Sequence, residues 1–185
     1  STLVTLLNGT VLVSGNCWAN APTLCVEILR FLQGQKPLVL SAASVAAQIK
    51  AYQNVGGWGR EALEWISDHG AVPADRWPND AIDPRYATPA NLRLALDYRA
   101  GAWMALEDRN LDQLISCVLR NIPVGVGYTW WGHEVTATDA DWVDGDVALI
   151  VDNSWGQEWG TNGRGMIQGS RMLPDDAVAP FTAVA

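Results

Sequence analysis

Three short segments of this sequence carry side chains that could together perform nucleophilic catalysis. They are Gly-Asn-Cys17-Trp-Ala, Gly-His133-Glu-Val and Asn153-Ser-Trp-Gly. A cysteine thiolate is a nucleophile, a histidine is a general base near neutral pH, and an amide oxygen can accept the imidazole N–H. Each segment alone is weak evidence, because helix cysteines, strand histidines and turn asparagines are more often structural.

Cys17 opens a predicted helix. Apolar residues recur at helical spacing from Cys17 to Phe31, with Pro22 near the first turn. A helix N-terminus carries roughly half a positive charge and free N–H groups, so the position should lower the pKa of the Cys17 thiol and could bind an oxyanion. Cys25 and Cys117 fall on apolar helix faces, where we expect them only to pack.

Further helices are expected before the last third of the chain. The capping and breaking residues predict them from Ser41 to about Tyr52, from Trp58 to a stop at Gly70, and from about Asn110 to Arg120. Between them, residues 71–90 contain four prolines and read as a long irregular connection. His69 precedes the stop at Gly70 and is expected to act only as a cation at the helix end.

The last third has the pattern of antiparallel strands. Strands are predicted at residues 124–128, 134–138 and 147–151, with Asp144-Gly145 as a hairpin turn. Residues 1–15 also read as a strand, and the last ten residues as an extended tail. The order predicts an α+β protein of one domain, residues 1–185, with a helical subdomain at about 15–70 and a β-rich subdomain at about 105–170.

Composition excludes several functions. The 185 residues include 12 Lys and Arg against 20 Asp and Glu, a net charge of −8 with no basic run, so nucleic acid is not an expected partner. No stretch of about 18 apolar residues could span a membrane. Three cysteines and two histidines lack metal-ligand spacing, so no metal or cofactor is expected. Ten tryptophans are expected mostly in the core, with a sugar-binding platform as the alternative.

Taken together, the three segments resemble the papain-like cysteine peptidases. Asn153 lies twenty residues after His133, and the family's longer motif Asn-Ser-Trp-Gly-x-x-Trp-Gly-x-x-Gly is matched at residues 153–163. Intermediate landmarks of the family are matched at Leu40-Ser41, Gly56-Gly57 and Trp77-Pro78. The similarity covers residues 15–170. It implies a papain-like fold, with a helical left half, an antiparallel β-barrel-like right half and an active-site cleft between them.

The resemblance also implies residue roles in the hydrolysis of peptide bonds through an acyl-enzyme. Cys17 would be the nucleophile and His133 the general base and later acid. Asn153 would hold the productive tautomer of His133, and Trp155 would shield that hydrogen bond from water. The expected partner is therefore a peptide or protein substrate.

Three further residues are implied to bind that substrate. Gly57, with Gly56 beside it, would offer backbone hydrogen bonds to an extended peptide. Glu134 follows the histidine where small apolar residues are usual, and would edge the main specificity pocket. Its carboxylate could favour a basic substrate residue, or it could be a solvated charge.

The sequence departs from the family at the oxyanion hole. Family members have a glutamine six residues before the catalytic cysteine, and that position here is Val11. Loss of one such donor typically costs about 10²–10³ in rate. Asn8 and Asn16 are the candidate replacements.

A disulfide of the family is also missing, and this bears on the expected location and on the alternatives. The two positions that would form it are Ser14 and Gln53. Together with a start at Ser1 and no propeptide, this predicts a protein that is not evidently secreted, with a cytoplasmic or particle-associated location favoured.

One alternative is a papain-fold structural or binding subunit of a larger assembly, such as a virus particle, with weak or lost peptidase activity. Another is acyl transfer to an amine in place of water.

Overall fold

A computed structural model describes residues 15–185 of the chain. The strand predicted at residues 1–15, and the positions of Asn8, Val11 and Ser14, therefore lie outside the described residues. The described part combines α-helices with one antiparallel sheet, which confirms the predicted α+β class.

The predicted helices are present. Within residues 15–185 the α-helices are α1 (Cys17–Leu32), α2 (Ala42–Ile49), α3 (Gly59–His69), α4 (Pro89–Ala95) and α5 (Leu111–Leu119), and 3₁₀ turns span Pro84–Tyr86, Leu96–Tyr98 and Gly169–Met172. The Ser41 side chain caps α2 by accepting the Ser44 N–H. Helix α2 ends before the predicted Tyr52, because Ala51 and Tyr52 adopt positive φ angles that no helix continues.

The strands form one sheet in the described chain. They are β1 (Trp103–Ala105), β2 (Val124–Tyr128), β3 (His133–Val143), β4 (Asp146–Asp152), β5 (Arg164–Gln168) and β6 (Asp176–Pro180), in the order β1-β6-β2-β3-β4-β5 with antiparallel pairing throughout. The predicted hairpin turn joins β3 to β4, and both Asp144 and Gly145 have positive φ, as this kind of turn requires.

The prediction of an extended tail for the last ten residues is wrong. Strand β6 lies inside the sheet between β1 and β2, and it is buried along its whole length. Beyond it, the Ala183 N–H donates to the Gln33 side-chain oxygen at 2.8 Å, and the Ala183 carbonyl accepts from the Gln33 side-chain N–H at 2.9 Å. The small residues of β6 show no alternation, because a strand buried on both faces need not alternate.

Two apolar cores lie on either side of helix α1. The first packs α1 with α2 and α3 around Val45, Leu63 and Ile66. The second packs α5 against the sheet around Leu114, Val126 and Leu149. Helix α1 contacts strand β3 as well as helix α3, so its N-terminus stands at the junction of the helices and the sheet. No helix in residues 15–185 has the length and apolarity to cross a membrane.

Candidate active site

Cys17 is the first residue of α1, and the residues around it fix its place. Asn16 caps the helix without a side-chain hydrogen bond, and the Gly15 N–H donates to the Asn54 side-chain oxygen at 3.2 Å. The backbone N–H groups of Glu134 and Trp18 are near enough to Cys17 to lower its pKa. Because Glu134 directly follows His133 in the sequence, the thiol lies against the backbone next to the histidine.

The pKa of Cys17 does not follow the sequence-based expectation. Burial raises it above its ordinary value, and this outweighs the lowering by the backbone N–H groups of Glu134 and Trp18. Burial also lowers the pKa of His133, although the hydrogen bond to Asn153 opposes that shift. Both shifts favour an uncharged thiol beside an uncharged imidazole in the resting protein.

His133 and Asn153 are hydrogen-bonded although twenty residues separate them. His133 begins β3 and Asn153 directly follows β4, so the pairing of these two strands brings them together. The distance from His133 Nε2 to Asn153 Oδ1 is 2.7 Å. An amide oxygen only accepts, so Nε2 carries the proton and Nδ1 is left as an acceptor. Asn153 is itself fixed, since its oxygen also accepts the Ser154 N–H at 2.8 Å.

Trp155 covers the imidazole. Its ring stacks on His133 with centroids 4.5 Å apart and an interplanar angle of 27°, while 45% of its surface stays exposed. An indole in this position restricts the access of water to the hydrogen bond between His133 and Asn153. The predicted shielding role of Trp155 fits this geometry.

Hydrogen bonds to Asp152, the last residue of β4, support the strand end that precedes Asn153. The carboxylate of Asp152 accepts from Arg164 Nε at 3.0 Å and from Thr138 Oγ1 at 2.7 Å. These contacts tie β3, β4 and β5 together next to Asn153, so they help to hold its amide in register with His133.

Cys17 and His133 line one cavity of about 520 Å³, and Gly56 and Gly57 lie along it with them. Gly57 sits flat on the buried ring of Trp18, where a Cβ would lie 2.6 Å from the ring. Only glycine can approach that closely, so Trp18 positions the backbone of Gly57 beside the nucleophile. The ring of Trp58, half exposed, forms a further part of the wall.

Glu134 also lines this cavity, but it is not a solvated charge. Only 4% of its surface is exposed, and its carboxyl oxygen Oε2 accepts the N–H of Gly59 at the start of α3, at 3.1 Å. The other oxygen is buried and has no hydrogen-bond partner within the described residues. Burial, with the neighbouring Asp176, raises the pKa of Glu134 well above its ordinary value. A preference for basic substrate residues stays a prediction.

The sequence did not indicate the space that Glu134 occupies. Its carboxyl group lies close to Gly59, Gly125 and Gly127, three glycines whose missing side chains make room for it. Asp176, from the unpredicted strand β6, accepts the Arg60 N–H at 3.3 Å beside it. The alternating glycines of Val-Gly-Val-Gly were the available sign that a side chain packs against this strand. The sequence did not show that this side chain is Glu134, because Gly59 and Asp176 on its other sides are distant in sequence.

All three cysteines are free, with Cys25 buried and Cys117 half-buried. The described residues contain no group of histidine, cysteine and carboxylate side chains that could hold a metal. Asn16 is only 1% exposed, and neither polar atom of its side chain has a hydrogen-bond partner in the described chain. It is not part of the cavity lining, so the structure does not bring this amide into the cleft.

Comparison with known proteins shows which fold this chain has. No family model matches the sequence, and no curated protein matches it. Solved structures do: xylellain, a cysteine protease from Xylella fastidiosa, is 19% identical with a TM-score of 0.77, over 91% of this chain and 80% of that one. The fold is that of the papain-like cysteine proteases.

Two other papain-like structures lead to the same fold. The bromelain protease from Ananas comosus, in complex with the E64 inhibitor, is 22% identical with a TM-score of 0.73, over 94% of this chain and 93% of that one. Digestive procathepsin L 3 from the larval midgut of Tenebrio molitor is 20% identical with a TM-score of 0.76, over 90% of this chain. The present chain spans 63% of the length of that procathepsin.

Proposed function

We propose that this protein is a thiol hydrolase that cleaves peptide bonds with Cys17, His133 and Asn153. The observation that carries the proposal is the 2.7 Å hydrogen bond from His133 Nε2 to Asn153 Oδ1. It assigns the proton to Nε2 and leaves Nδ1 as the base, in the cavity that Cys17 also lines. The papain-like fold supports the proposal.

The proposed reaction has two stages. In the first, the Cys17 sulfur attacks the substrate carbonyl carbon while Nδ1 of His133 takes the thiol proton, and the amine leaves with that proton. In the second, His133 deprotonates water, water attacks the thioester, and the acid is released as the thiol recovers its proton. Asn153 keeps the imidazole oriented through both stages. No cofactor takes part.

The oxyanion of each stage needs hydrogen-bond donors. Backbone N–H groups at the start of α1 are the candidate donors, because the first turn of a helix leaves such groups without partners inside the helix. The side-chain donor of the family is replaced by Val11, so we expect a modest kcat. The acyl part of an extended peptide would lie along Gly56 and Gly57, with its backbone hydrogen-bonded to Gly57.

The experiment is hydrolysis of a mixture of internally quenched peptides by the whole chain. Cys17→Ala and His133→Ala should each abolish turnover, whereas Cys117→Ala, which removes a thiol outside the cavity, should keep it. Mass spectrometry should find free carboxylic acid products, and an amide or ester product would mean acyl transfer instead. A wild-type rate no higher than that of Cys17→Ala would contradict the proposal and favour a subunit of a larger assembly.

A further inference from the structure

A second groove lies beside the catalytic cavity and has no role in the proposed chemistry. It measures about 310 Å³ and follows strand β5 and the turn after it. We call it the tryptophan groove. Its principal lining residues are Trp130, Trp131, Trp159, Met166, Gln168 and Arg171.

One lining residue of the tryptophan groove, Trp131, contacts the imidazole of His133. The Trp131 ring meets the His133 ring at a centroid distance of 5.0 Å, and Trp130 stacks on Trp131 at 5.5 Å. The guanidinium of Arg171 lies 5.1 Å from the ring centre of Trp130. An extended peptide rises about 3.3 Å per residue, so at most about five residues cover the path from His133 to Arg171.

The direction of this path corresponds to the leaving part of a substrate. During cleavage His133 must give its proton to the departing amine, which therefore lies at the imidazole. Gly56 and Gly57, which also line the catalytic cavity, would hold the acyl part. The residues after the cut bond would then lead from His133 towards the tryptophan groove.

The surface of the tryptophan groove combines apolar area with one available charge. Trp130 is 47% exposed and Met166 is 58% exposed, so two large apolar side chains are exposed in the same groove. Arg171 forms no ion pair with any residue between 15 and 185, in a chain whose net charge is −8. An arginine above a tryptophan face keeps its donors free for a carboxylate.

We propose that the tryptophan groove binds the leaving segment of a peptide substrate. A large apolar or aromatic side chain would pack against Trp130 and Trp131, and a carboxylate near it would bind Arg171. That carboxylate could come from an acidic side chain or from the C-terminus of the peptide. This proposal rests on the proposed peptidase function, and it adds where the substrate residues after the cleaved bond would bind.

The first test compares peptides with one acyl part and different leaving segments. We expect kcat/KM to be roughly 3- to 5-fold higher with Ala-Phe-Asp-amide than with Ala-Phe-Asn-amide, as for an exposed ion pair. Ala-Phe-Asn with a free C-terminus distinguishes the two carboxylate sources. Arg171→Ala should bring the ratio to about one. Arg93→Ala, an exposed arginine on α4 away from the groove, should keep the wild-type ratio.

The aromatic contact is tested in the same assay. Replacing Phe by Gly in the leaving segment should lower kcat/KM by roughly 5- to 10-fold in the wild type and by less in Trp130→Ala. Equal rates for all leaving segments, in an enzyme that does cleave a peptidyl coumarylamide, would overturn the tryptophan groove proposal and leave the peptidase function standing.

A binding measurement separates the two proposals. Cys17→Ala cannot turn over, so titration with Ala-Phe-Asp-amide, followed by tryptophan fluorescence, reports peptide binding without cleavage, and Arg171→Ala in the same background shows the share that the groove contributes. Saturable binding that weakens in Cys17→Ala/Arg171→Ala supports the groove even if no substrate is cleaved by the wild type. Absence of peptide binding, or binding of neutral oligosaccharides in its place, would overturn the proposal.

Discussion

At the scale of single residues, Nε2 of His133 donates a hydrogen bond to Asn153, and Nδ1 is left as an acceptor. Asn153 accepts from Nε2, Trp155 covers the ring, and the sulfur of Cys17 lies against the next residue of the chain. Because burial raises the pKa of Cys17 and lowers that of His133, the pair holds one proton across a wide pH range. In the proposed mechanism that singly protonated state is the active one, and we expect the two groups to titrate as a pair.

This state predicts a bell-shaped dependence of kcat/KM on pH. Protonation of His133 removes the base below its lowered pKa, so the acid limb should fall below the ordinary value of 6.5. Loss of the Cys17 proton above its raised pKa should place the alkaline limb above 9.0. The measurement is kcat/KM between pH 4 and 10. A single alkaline ionisation with no acid limb would contradict a catalytic role for His133.

The sequence predicted which residues meet, but not how they are charged. The motifs were sufficient to predict that His133 pairs with Asn153 and that Cys17 shares a cavity with His133, while their catalytic roles stay a prediction. The raised pKa of Cys17 depends on its burial in the folded chain, which a motif does not contain. The Glu134 side chain is buried because glycines distant from it in sequence leave space for its carboxyl group. Only the folded structure shows which residues surround it.

At the scale of elements, residues 54–58, which precede α3, form part of the cavity wall, and Gly57 within them packs on Trp18. The Asn54 side chain accepts from Gly15, Gly57 packs on the ring of Trp18, and the Glu61 carboxylate accepts the Trp58 N–H and pairs with Lys50 at 2.9 Å. The two ends of the segment are thus attached to helices α1 and α3.

Two neighbouring glycines in this segment provide a matched comparison. In Gly57→Ala the new Cβ would meet the Trp18 ring at 2.6 Å, so we expect a loss of roughly 1–3 kcal/mol in the free energy of unfolding. In Gly56→Ala nothing lies within 4 Å of the Cβ, so its stability should change by less than about 1 kcal/mol. Urea unfolding of both variants is the measurement. Equal stabilities would mean that Gly57 does not depend on contact with Trp18.

Element prediction succeeded where a strong local signal existed. Ser41, Gly70 and Asp144-Gly145 mark helix and turn boundaries through their own chemistry, and the structure confirms them. Strand β6 was missed because its small residues carry no periodicity and its burial comes from β1 and β2 on either side. Helix α4 was missed because it begins at Pro89, inside a proline-rich stretch.

At the scale of the whole molecule, buried carboxyl groups couple stability to pH. Burial raises the pKa values of Glu27, Glu134, Asp152 and Asp176, and for Glu27 the value reaches about 8. A carboxyl group whose pKa is higher in the folded protein than in the unfolded chain binds more protons when folded. Its contribution to stability is complete below its unfolded pKa and is lost as pH rises to the folded value.

Glu27 makes this effect measurable. Its Oε1 accepts the Leu40 N–H at 2.6 Å, and a glutamine could keep that bond without a charge. The free energy of unfolding of the wild type should fall between pH 4.5 and about 8, and Glu27→Gln should remove roughly 2–5 kcal/mol of that fall. The check is urea unfolding at several pH values. Parallel pH profiles of the two proteins would contradict a buried, protonated Glu27.

The central claim is that Cys17 is a nucleophile activated by His133. The most direct measurement is alkylation of the native protein at pH 7 by iodoacetamide and, separately, by the epoxide inhibitor E64, with the modified cysteine mapped by mass spectrometry. We predict that Cys17 reacts at least about tenfold faster than Cys117 while buried Cys25 stays unmodified, and that His133→Ala removes this advantage. Alkylation of Cys17 no faster than Cys117, or at the same rate in His133→Ala, would contradict the claim.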